Sequence, residues 1–502
     1  GLIKIIEKPV IPNIYNMSLE SLPKKISLTS EQQKSISKVC SSLDKNSFDP
    51  FLLHGVTGSG KTEVFIEAAK HAIKQGKSVV VLLPEISTTP QIAGRFRSVF
   101  GDSVAVWHSK LSNSSRAWIW KKICEGEFKI IVGARSAIFT PLKNLGLIIV
   151  DEEQENAYKQ TSSSPKYHAK EVSLMRGKIN DATVILSSAT PSIESYYNYK
   201  SKKFKYLELP KRYGEAKLPH VHLVDMIAEN KESDNYNTIF SKIMLEKISD
   251  RIQKNEQVIL MHNRRGFAPI LRCDDCGEIS KCPHCLLSLT FHKTNNVLKC
   301  HFCNYAKPPA NKCSYCSSFN ARLSGTGTQK IEDELSKIFP DVKIDRLDLD
   351  AAPTANKIFS TLNKFSKNEI NILVGTQMIA KGLDFANATL VGIINADTGL
   401  FLPDFRSGEK VFQLIYQAAG RAGRGTIPGE VIVQTYNSEN EIIKDAVNFD
   451  LVGYYEKCLK ERSDLNYPPY SWLVRLEIRG TNKNDVIRAI DDLNKKIPSL
   501  PI

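Results

Sequence analysis

Nowhere in its 502 residues does the chain hold the uninterrupted apolar run of about 18 residues that a membrane-spanning helix needs. It also lacks the charged-then-apolar opening of a secretory leader, so no membrane partner is expected. Acidic residues are in deficit: Asp plus Glu number 54 against 68 Lys plus Arg, a formal net charge of +14. A surplus of that size favours a polyanionic partner, because each phosphate contact releases condensed counterions. A solvated basic surface with no partner is the competing reading. Cysteine is scarce outside one segment. Of eleven, Cys40, Cys124 and Cys458 stand alone, and the other eight lie between Cys273 and Cys316 as C-x-x-C pairs. That clustering speaks against a disulfide framework and for metal ligation in a reducing compartment. No repeat at solenoid periods is visible, and the one low-complexity tract is Thr161 to Pro165.

What is present is globular material. Hydrophobic residues make up 42% and charged residues 24%, and the length predicts about three folding units. Residues 1–25, with Pro9, Pro12 and Pro23 and no sustained period, read as a linker or the remnant of a preceding domain. From Leu28 short apolar runs alternate with helical patterns: Phe51 to His54, Ser78 to Leu83, Lys129 to Val132, Leu145 to Val150 and Thr183 to Leu186. Such runs suit strands buried on both faces of a parallel sheet. A second series holds Gln257 to Met261, Lys343 to Leu347, Asn371 to Val374, Leu390 to Ile394 and Glu430 to Gln434. The expected class is α/β, two doubly wound parallel-sheet lobes, with the cysteine cluster inserted in the second. The first lobe is expected over 26–210 and the second over 211–437, with its insertion at 272–318. Residues 438–502 read as the start of a C-terminal domain. The chain opens on Gly1 and stops after Lys495 to Ile502 without an obvious closing element, so a trimmed or incomplete product is expected.

Gly55-Val56-Thr57-Gly58-Ser59-Gly60-Lys61-Thr62 fits G-x-x-x-x-G-K-[ST] between a predicted strand and a predicted helix. Its glycines let backbone N–H groups close around phosphate oxygens at a helix N-terminus. Lys61 is the candidate for the β- and γ-phosphates of ATP, and Thr62 for Mg²⁺. The run Leu147 to Val150 ends in Asp151-Glu152-Glu153-Gln154. An acid at the C-terminal end of a parallel strand lies beside the phosphate loop, so Asp151 is expected to serve the metal. Glu152 is the candidate to orient and deprotonate the attacking water; an acidic N-cap is the plainer alternative.

Later segments select a motor among phosphate-binding proteins. Ser187-Ser188-Ala189-Thr190-Pro191 follows a strand, and Gln417 to Arg424 places Arg421 and Arg424 three apart. A guanidinium from a second lobe suits the charge on a departing γ-phosphate. A contact made only when lobes close turns hydrolysis into relative motion.

With these motifs the chain resembles superfamily 2 helicases and, more narrowly, the primosomal replication-restart helicases (the primosomal protein N′ or PriA family). The likeness is carried by G-V-T-G-S-G-K-T-E-V-F (55–65), L-P-E-I-S-T-T-P-Q (83–91), W-H-S-K-L-S (107–112) and G-A-R-S-A-I-F-T-P (133–141). Y-H-A-K (167–170), N-R-R-G-F (263–267), G-T-Q-M-I-A-K-G-L-D-F (375–385) and D-F-R-S-G-E (404–409) continue it. It runs from about Leu28 to Asn437 and toward Tyr467-Pro468-Pro469. It implies RecA-like lobes and an ATP-dependent 3′→5′ DNA helicase that unwinds stalled replication forks and helps load the primosome. The implied partners are forked and single-stranded DNA, single-stranded DNA-binding protein and other primosome proteins; the implied setting is bacterial, cytoplasmic and nucleoid-associated.

By the same likeness Gln32 contacts adenine, and Tyr158 to His168 form an aromatic-rich loop linking DNA occupancy to hydrolysis. Tyr158 and Tyr167 are then base-stacking candidates, with core tyrosines as the alternative. Arg135 and Arg265 are backbone-contact candidates, with structural ion pairs as theirs. Two departures stand out. Gln154 replaces a usual histidine; either side chain can hydrogen-bond across the cleft, so altered coupling rather than inactivity is expected. The family's amino-terminal 3′-end-capturing domain and most of the winged-helix domain after it have no counterpart here, residues 1–25 being at most a winged-helix remnant. Without them fork specificity is in doubt.

The pairs Cys273/Cys276, Cys282/Cys285, Cys300/Cys303 and Cys313/Cys316 supply eight thiolates. Each two-residue spacer aims both sulfurs at one ion, and two pairs complete a tetrahedral site. Spacing alone allows several pairings; the likeness implies nesting, the outer four on one Zn²⁺ and the inner four on another. Both are expected to be structural, with His284, His292 and His301 as bystanders. A duplex translocase or RNA helicase, and a zinc scaffold without turnover, are the alternatives. The intact Lys61, Thr62, Asp151, Glu152, Arg421 and Arg424 weigh against the scaffold.

Overall fold

The computed structural model describes residues 27–84, 89–213, 219–233, 238–262, 270–284, 287–293, 295–301, 303–324, 327–348, 355–376, 385, 387–402, 404–423, 429–474 and 476–497. Residues 1–25, read above as a linker, lie outside them. The first sheet takes β1 (Pro50–Gly55), β2 (Ser78–Leu82), β3 (Val104–Trp107), β4 (Ile130–Gly133), β5 (Leu145–Asp151), β6 (Thr183–Ser188) and β7 (Lys205–Leu209). The strands are all parallel, in the order β3-β4-β2-β5-β6-β1-β7. Its helices are α1 (Ser30–Lys45), α2 (Lys61–Lys74), α3 (Thr89–Phe100), α4 (Asn113–Glu125), α5 (Ala169–Ile179) and α6 (Ile193–Lys200). One core layer sets Val79, Val81, Leu147 and Ile149 against α2 residues such as Phe65 and Ala69. The opposite face buries Val80, Ile131, Ile148 and Leu186 with Ile119, Ile123 and Tyr158. Side chains alternating between two covered faces require the continuous apolar runs seen in the sequence.

The second parallel sheet has β8 (His220–Asp225) and β9 (Gln257–Met261) before an insertion, and β15 (Ile344–Leu347), β16 (Ile372–Gly375), β17 (Ala388–Ile393) and β18 (Glu430–Thr435) after it. Its order is β15-β16-β9-β17-β18-β8. Helices α7 (Met226–Ser233), α8 (Lys242–Gln253), α9 (Thr328–Ile338), α10 (Ala355–Ser366), α11 (Ser407–Ala419) and α12 (Glu441–Val447) accompany it. Packing continues past residue 437: a Cβ at Gly408 would meet Ile442 Cδ1 at 2.6 Å, and Phe412 stacks on Tyr454 with ring centroids 4.1 Å apart.

The insertion is a five-stranded antiparallel sheet of β10 (Ile270–Cys273), β11 (Thr290–His292), β12 (Val297–Lys299), β13 (Ala306–Lys307) and β14 (Ala321–Ser324), ordered β13-β12-β11-β10-β14. Its entering and leaving strands are neighbours, Cys273 opposite Ala321 and Ile270 opposite Ser324. Its small core holds Leu271, Leu289 and Leu298 with Cys282 and Cys300. The rest of α13 (Leu451–Asp464) and α14 (Lys483–Lys496) belong to a second unit, residues 455–502. No helix among the described residues is long and apolar enough to cross a membrane.

Candidate active site and cysteine cluster

Residues Gly55 to Thr62 form the turn from β1 into α2. Gly58 and Gly60 sit at φ +81° and +78°, and a Cβ on Gly60 would fall 2.3 Å from Gln32 Nε2, so that position takes only glycine. The loop's carbonyls are engaged from behind. Lys61 Nζ donates to Gly55 O at 2.8 Å, Tyr213 N to Gly58 O at 2.9 Å and Gln32 Nε2 to Ser59 O at 2.9 Å. Helix α2 starts from Gly60 without a side-chain cap, leaving first-turn amides for an anion. Ser59 Oγ is buried without a hydrogen-bond partner, as a phosphate ligand would be.

Gln32 differs from its expected role. It is fully buried, and its Oε1 accepts from Thr29 N at 2.9 Å in the capping box of α1 while Nε2 holds the loop. In this arrangement it braces the phosphate loop, with both ends of its amide spent inside the protein, and does not stand open to a base.

Asp151 ends β5 at the same sheet edge. Its Oδ1 is shut off from solvent and has no partner. Burial, then the neighbouring Glu152, push its pKa up to about 7, while Lys61 pulls the other way. A divalent cation would relieve both effects, so the residue fits a magnesium site. Glu152 takes φ +48°, an uncommon conformation for a non-glycine residue that turns its carboxylate into the cleft between the sheets. There Gln154 Nε2 donates to Glu152 Oε2 at 2.8 Å and Gln417 Nε2 to the same oxygen at 3.3 Å. Glu152 is thus held across the cleft by Gln417 on α11, while Gln154 bonds within its own lobe.

Glu153 is buried and saturated. It accepts from Ser192 N at 2.7 Å, Ser192 Oγ at 3.0 Å, Ser195 Oγ at 2.9 Å and Lys170 Nζ at 3.0 Å. Burial opposes the charge on Lys170, but Glu153, Glu171 and Glu194 outweigh it and raise its pKa. The network ties the acidic strand end to the first turn of α6, and α11 grips that turn from the other lobe. Glu409 Oε1 accepts from Ile193 N at 3.3 Å, Arg406 pairs with Glu194 at 3.0 Å, and Gln417 donates to Thr190 Oγ1 at 3.2 Å. Nothing in the sequence marks Arg406, Glu409 or Gln417 for this work. No local spacing marks a polar contact between segments 200 residues apart.

Arg421 follows Gly420 at the end of α11 and is buried. That end lies against the phosphate loop, a Cβ at Gly420 falling 2.6 Å from Thr57 Oγ1. Arg424, Arg265 and Cys285 lie outside the described residues.

The stacking expectation for Tyr158 is corrected. Its ring is fully buried, and its hydroxyl lies 3.0 Å from Leu82 O and 2.6 Å from Asp151 O, one hydrogen shared between two carbonyls. It is a core residue fixed to the strand that ends in Asp151. Tyr167 is half-buried, edge-on to the exposed Phe139 with centroids 5.0 Å apart. Arg135 lies over Tyr167 at 5.8 Å and donates to Ala157 O and Lys159 O at 3.2 and 2.9 Å. Arg135 therefore shapes the base of the 159–168 loop. Phe139, missed in the sequence reading, is the more open aromatic there.

In the insertion Cys273, Cys276, Cys313 and Cys316 bring their sulfurs within 4.8 Å of one another, as do Cys282, Cys300 and Cys303. Individual S···S distances are 3.6 Å (Cys273–Cys316), 3.7 Å (Cys276–Cys313) and 3.5 Å (Cys282–Cys303). Tetrahedral zinc with Zn–S of about 2.3 Å sets sulfurs roughly 3.8 Å apart, while a disulfide needs about 2.05 Å. The donors fit zinc, and their grouping follows the nested arrangement. His292 and His301 face each other, Nε2 to Nε2 3.3 Å, outside both groups.

The fold and the site define a helicase-class protein: two RecA-like parallel sheets, a phosphate loop on one, an arginine-bearing helix end on the other. The DEAD/DEAH box helicase family matches residues 29–198 and the helicase conserved C-terminal domain residues 309–426. The PriA DNA helicase Cys-rich region (CRR) domain matches residues 282–308. Replication restart protein PriA of Bacillus subtilis (strain 168) is 42% identical over 478 residues, 95% of this chain and 59% of that protein. The protein of that name in Treponema pallidum (strain Nichols) is 39% identical over 456 residues, 91% of this chain and 68% of its own. Among solved structures, RecG bound to a three-way DNA junction superposes with TM-score 0.52 at 17% identity, over 94% of this chain and 51% of that one. Mss116p bound to ssRNA and AMP-PNP gives 0.51 at 15%, over 94% and 81%. The chain belongs to the replication restart protein PriA family. It spans about three fifths of the length of the Bacillus subtilis and Chlamydia pneumoniae relatives.

Proposed function

We propose that this chain is the ATP-driven motor of a replication-restart DNA helicase, moving 3′→5′ on single-stranded DNA and unwinding stalled forks. The observation that carries the reading is the meeting of three parts at one cleft: the phosphate loop, the Asp151–Glu152 strand end and the Gly420–Arg421 helix end. Amides of the loop and Lys61 would hold the β- and γ-phosphates. Asp151 and Thr62 would hold magnesium, which when bound neutralises phosphate charge. Glu152, kept in place by donors from both lobes, would take the proton of the attacking water, and Arg421 would meet charge developing on the γ-phosphate. Hydrolysis would then change the contacts between α6 and α11, and so move the lobes.

The surplus of 14 positive charges supports a nucleic-acid track. The half-buried Arg135 and Tyr167 beside the exposed Phe139 form a cationic and aromatic surface suited to single strands. Two structural zinc ions would hold the insertion, aiding unwinding and contacting primosome proteins, while single-stranded DNA-binding protein would be a further partner.

The test is steady-state ATPase with single-stranded DNA, with RNA and without nucleic acid, beside strand displacement on forked DNA. Stimulation by DNA above RNA, lost in Lys61→Ala, is expected. An unchanged rate in Lys61→Ala would end the motor reading.

A further inference from the structure

The segment between β7 and β8 makes a connection that no motif announced. Arg212 Nη2 donates to Gly420 O at 3.2 Å, and Nη1 lies 3.4 Å from both Ala422 O and Gly423 O. One residue on, Tyr213 N donates to Gly58 O at 2.9 Å, and its hydroxyl donates to Ser27 O at 3.2 Å, ahead of α1. Two consecutive residues therefore hold both halves of the cleft, one the phosphate loop and the other the turn carrying Arg421.

The carbonyls that Arg212 covers are a physical problem for this site. Helix α11 ends at Gly420, where backbone carbonyls lose intrahelical partners and a helix carries its partial negative charge. That end abuts the phosphate loop at Thr57, where a polyphosphate would add negative charge of its own. A guanidinium presents several donors in one plane and stays charged, so it satisfies the carbonyls and offsets the field together. It also fixes the backbone on either side of Arg421. The bonds at 3.4 Å are long, and the short span between Arg212 and Tyr213 keeps the fork aimed at all three carbonyls.

We propose that Arg212 is a positioning residue for nucleotide hydrolysis: it registers the Arg421 turn against the phosphate loop without touching the reacting atoms. This rests on the ATPase reading above. Misplacing a catalytic group by about 1 Å costs on the order of 100-fold in rate, so Arg212→Ala should lower kcat by roughly 10- to 100-fold. KM for ATP should stay within about threefold, because the phosphate loop still holds the ground state. Arg212→Lys should fall between, since one ammonium cannot span three carbonyls.

The measurement is DNA-stimulated steady-state ATPase of the 502-residue chain, with kcat and KM separated and melting followed by circular dichroism. A lowered kcat at near-constant KM and melting temperature, partly restored by lysine, supports the proposal. Wild-type kcat in Arg212→Ala overturns it, and so does a loss that merely follows a lowered melting temperature. Should Arg212→Ala not fold, Arg212→Lys decides alone, and wild-type kcat there overturns the proposal. A wild-type chain without ATPase overturns the motor reading and this inference together, whereas active wild type with an indifferent Arg212→Ala overturns this inference only.

Discussion

The side-chain amide of Gln417 donates to Glu152 Oε2 at 3.3 Å and to Thr190 Oγ1 at 3.2 Å, so one group on α11 touches both the acidic strand end and the hydroxyl turn of the other sheet. Its two N–H groups match its two acceptors. Among the described residues, Gln417→Ala leaves Glu152 the Gln154 donor and takes the donor from the buried Thr190 hydroxyl. We expect kcat for ATP to fall by about 10-fold with little change in KM, the pattern of a contact that matters more as the reaction proceeds. Gln417→Glu, which sets a like charge against Glu152, should fall further. Steady-state kinetics of the pair check this.

Tyr158 offers a test of stability without a change in DNA affinity. Tyr158→Phe keeps the ring in its pocket but removes the donor from Leu82 O and Asp151 O, at a cost of about 1–3 kcal/mol. Urea unfolding should show the loss. The dissociation constant for single-stranded DNA should not move; a large weakening would reinstate base stacking.

Acid should destabilise lobe one over a definite range. His54 Nε2 faces Ala189 O at 3.2 Å and so carries the hydrogen, leaving Nδ1 to accept from the Tyr206 hydroxyl at 2.7 Å. Burial, then Lys61, lower its pKa from 6.5 to about 4. The unfolded chain therefore binds a proton that the folded chain refuses. Stability from this group is fully present above pH 6.5 and is lost as pH falls toward about 4. His168, lowered to about 3 by burial and then by Lys170, Lys159 and Arg406, acts in the same direction. His54→Gln should flatten the fall in melting temperature between pH 6.5 and 4; an unchanged slope would refute the assignment.

Metal analysis of the purified chain should give two zinc ions, one per cysteine group. Strong chelators should unfold the insertion, whose five short strands bury too little to stand alone. Single-strand-stimulated ATPase should largely survive. Loss of all ATPase together with unfolding of lobe one would show that the two are not separable.

The legible parts of this chain were those with a local physical signature. Central strands such as β2, β5 and β6 are covered on both faces and so read as continuous apolar runs. The edge strand β7 (K-Y-L-E-L) mixes exposed and buried positions and β8 (H-V-H-L-V-D) has none fully buried, so neither stands out in the sequence, nor does the four-residue β3. The phosphate loop and the C-x-x-C pairs follow from spacing because their ligands grip one target from one turn. Glu153, Lys170, Arg212 and Gln417 have no such spacing. Their partners lie far along the chain, and only folding brings them together. Tyr158 shows the reverse error: an aromatic in a suggestive loop whose hydroxyl had a backbone partner that no sequence displays.

The cysteine-rich sheet enters on β10 and leaves on β14, which are antiparallel neighbours. A module hung from a two-stranded neck closes on itself, and beside the neck it also touches its host: Arg272 lies over the Tyr436 ring at 3.2 Å, and a Cβ at Gly277 would meet Tyr436 O at 2.7 Å. Cutting at the neck and joining β10 to β14 with a tight turn would leave the order of the six-stranded sheet untouched. In geometry such a piece is a cassette: joined through a strand pair and its contacts at Tyr436, it can be enlarged or trimmed at its far end without disturbing the sheet that carries it.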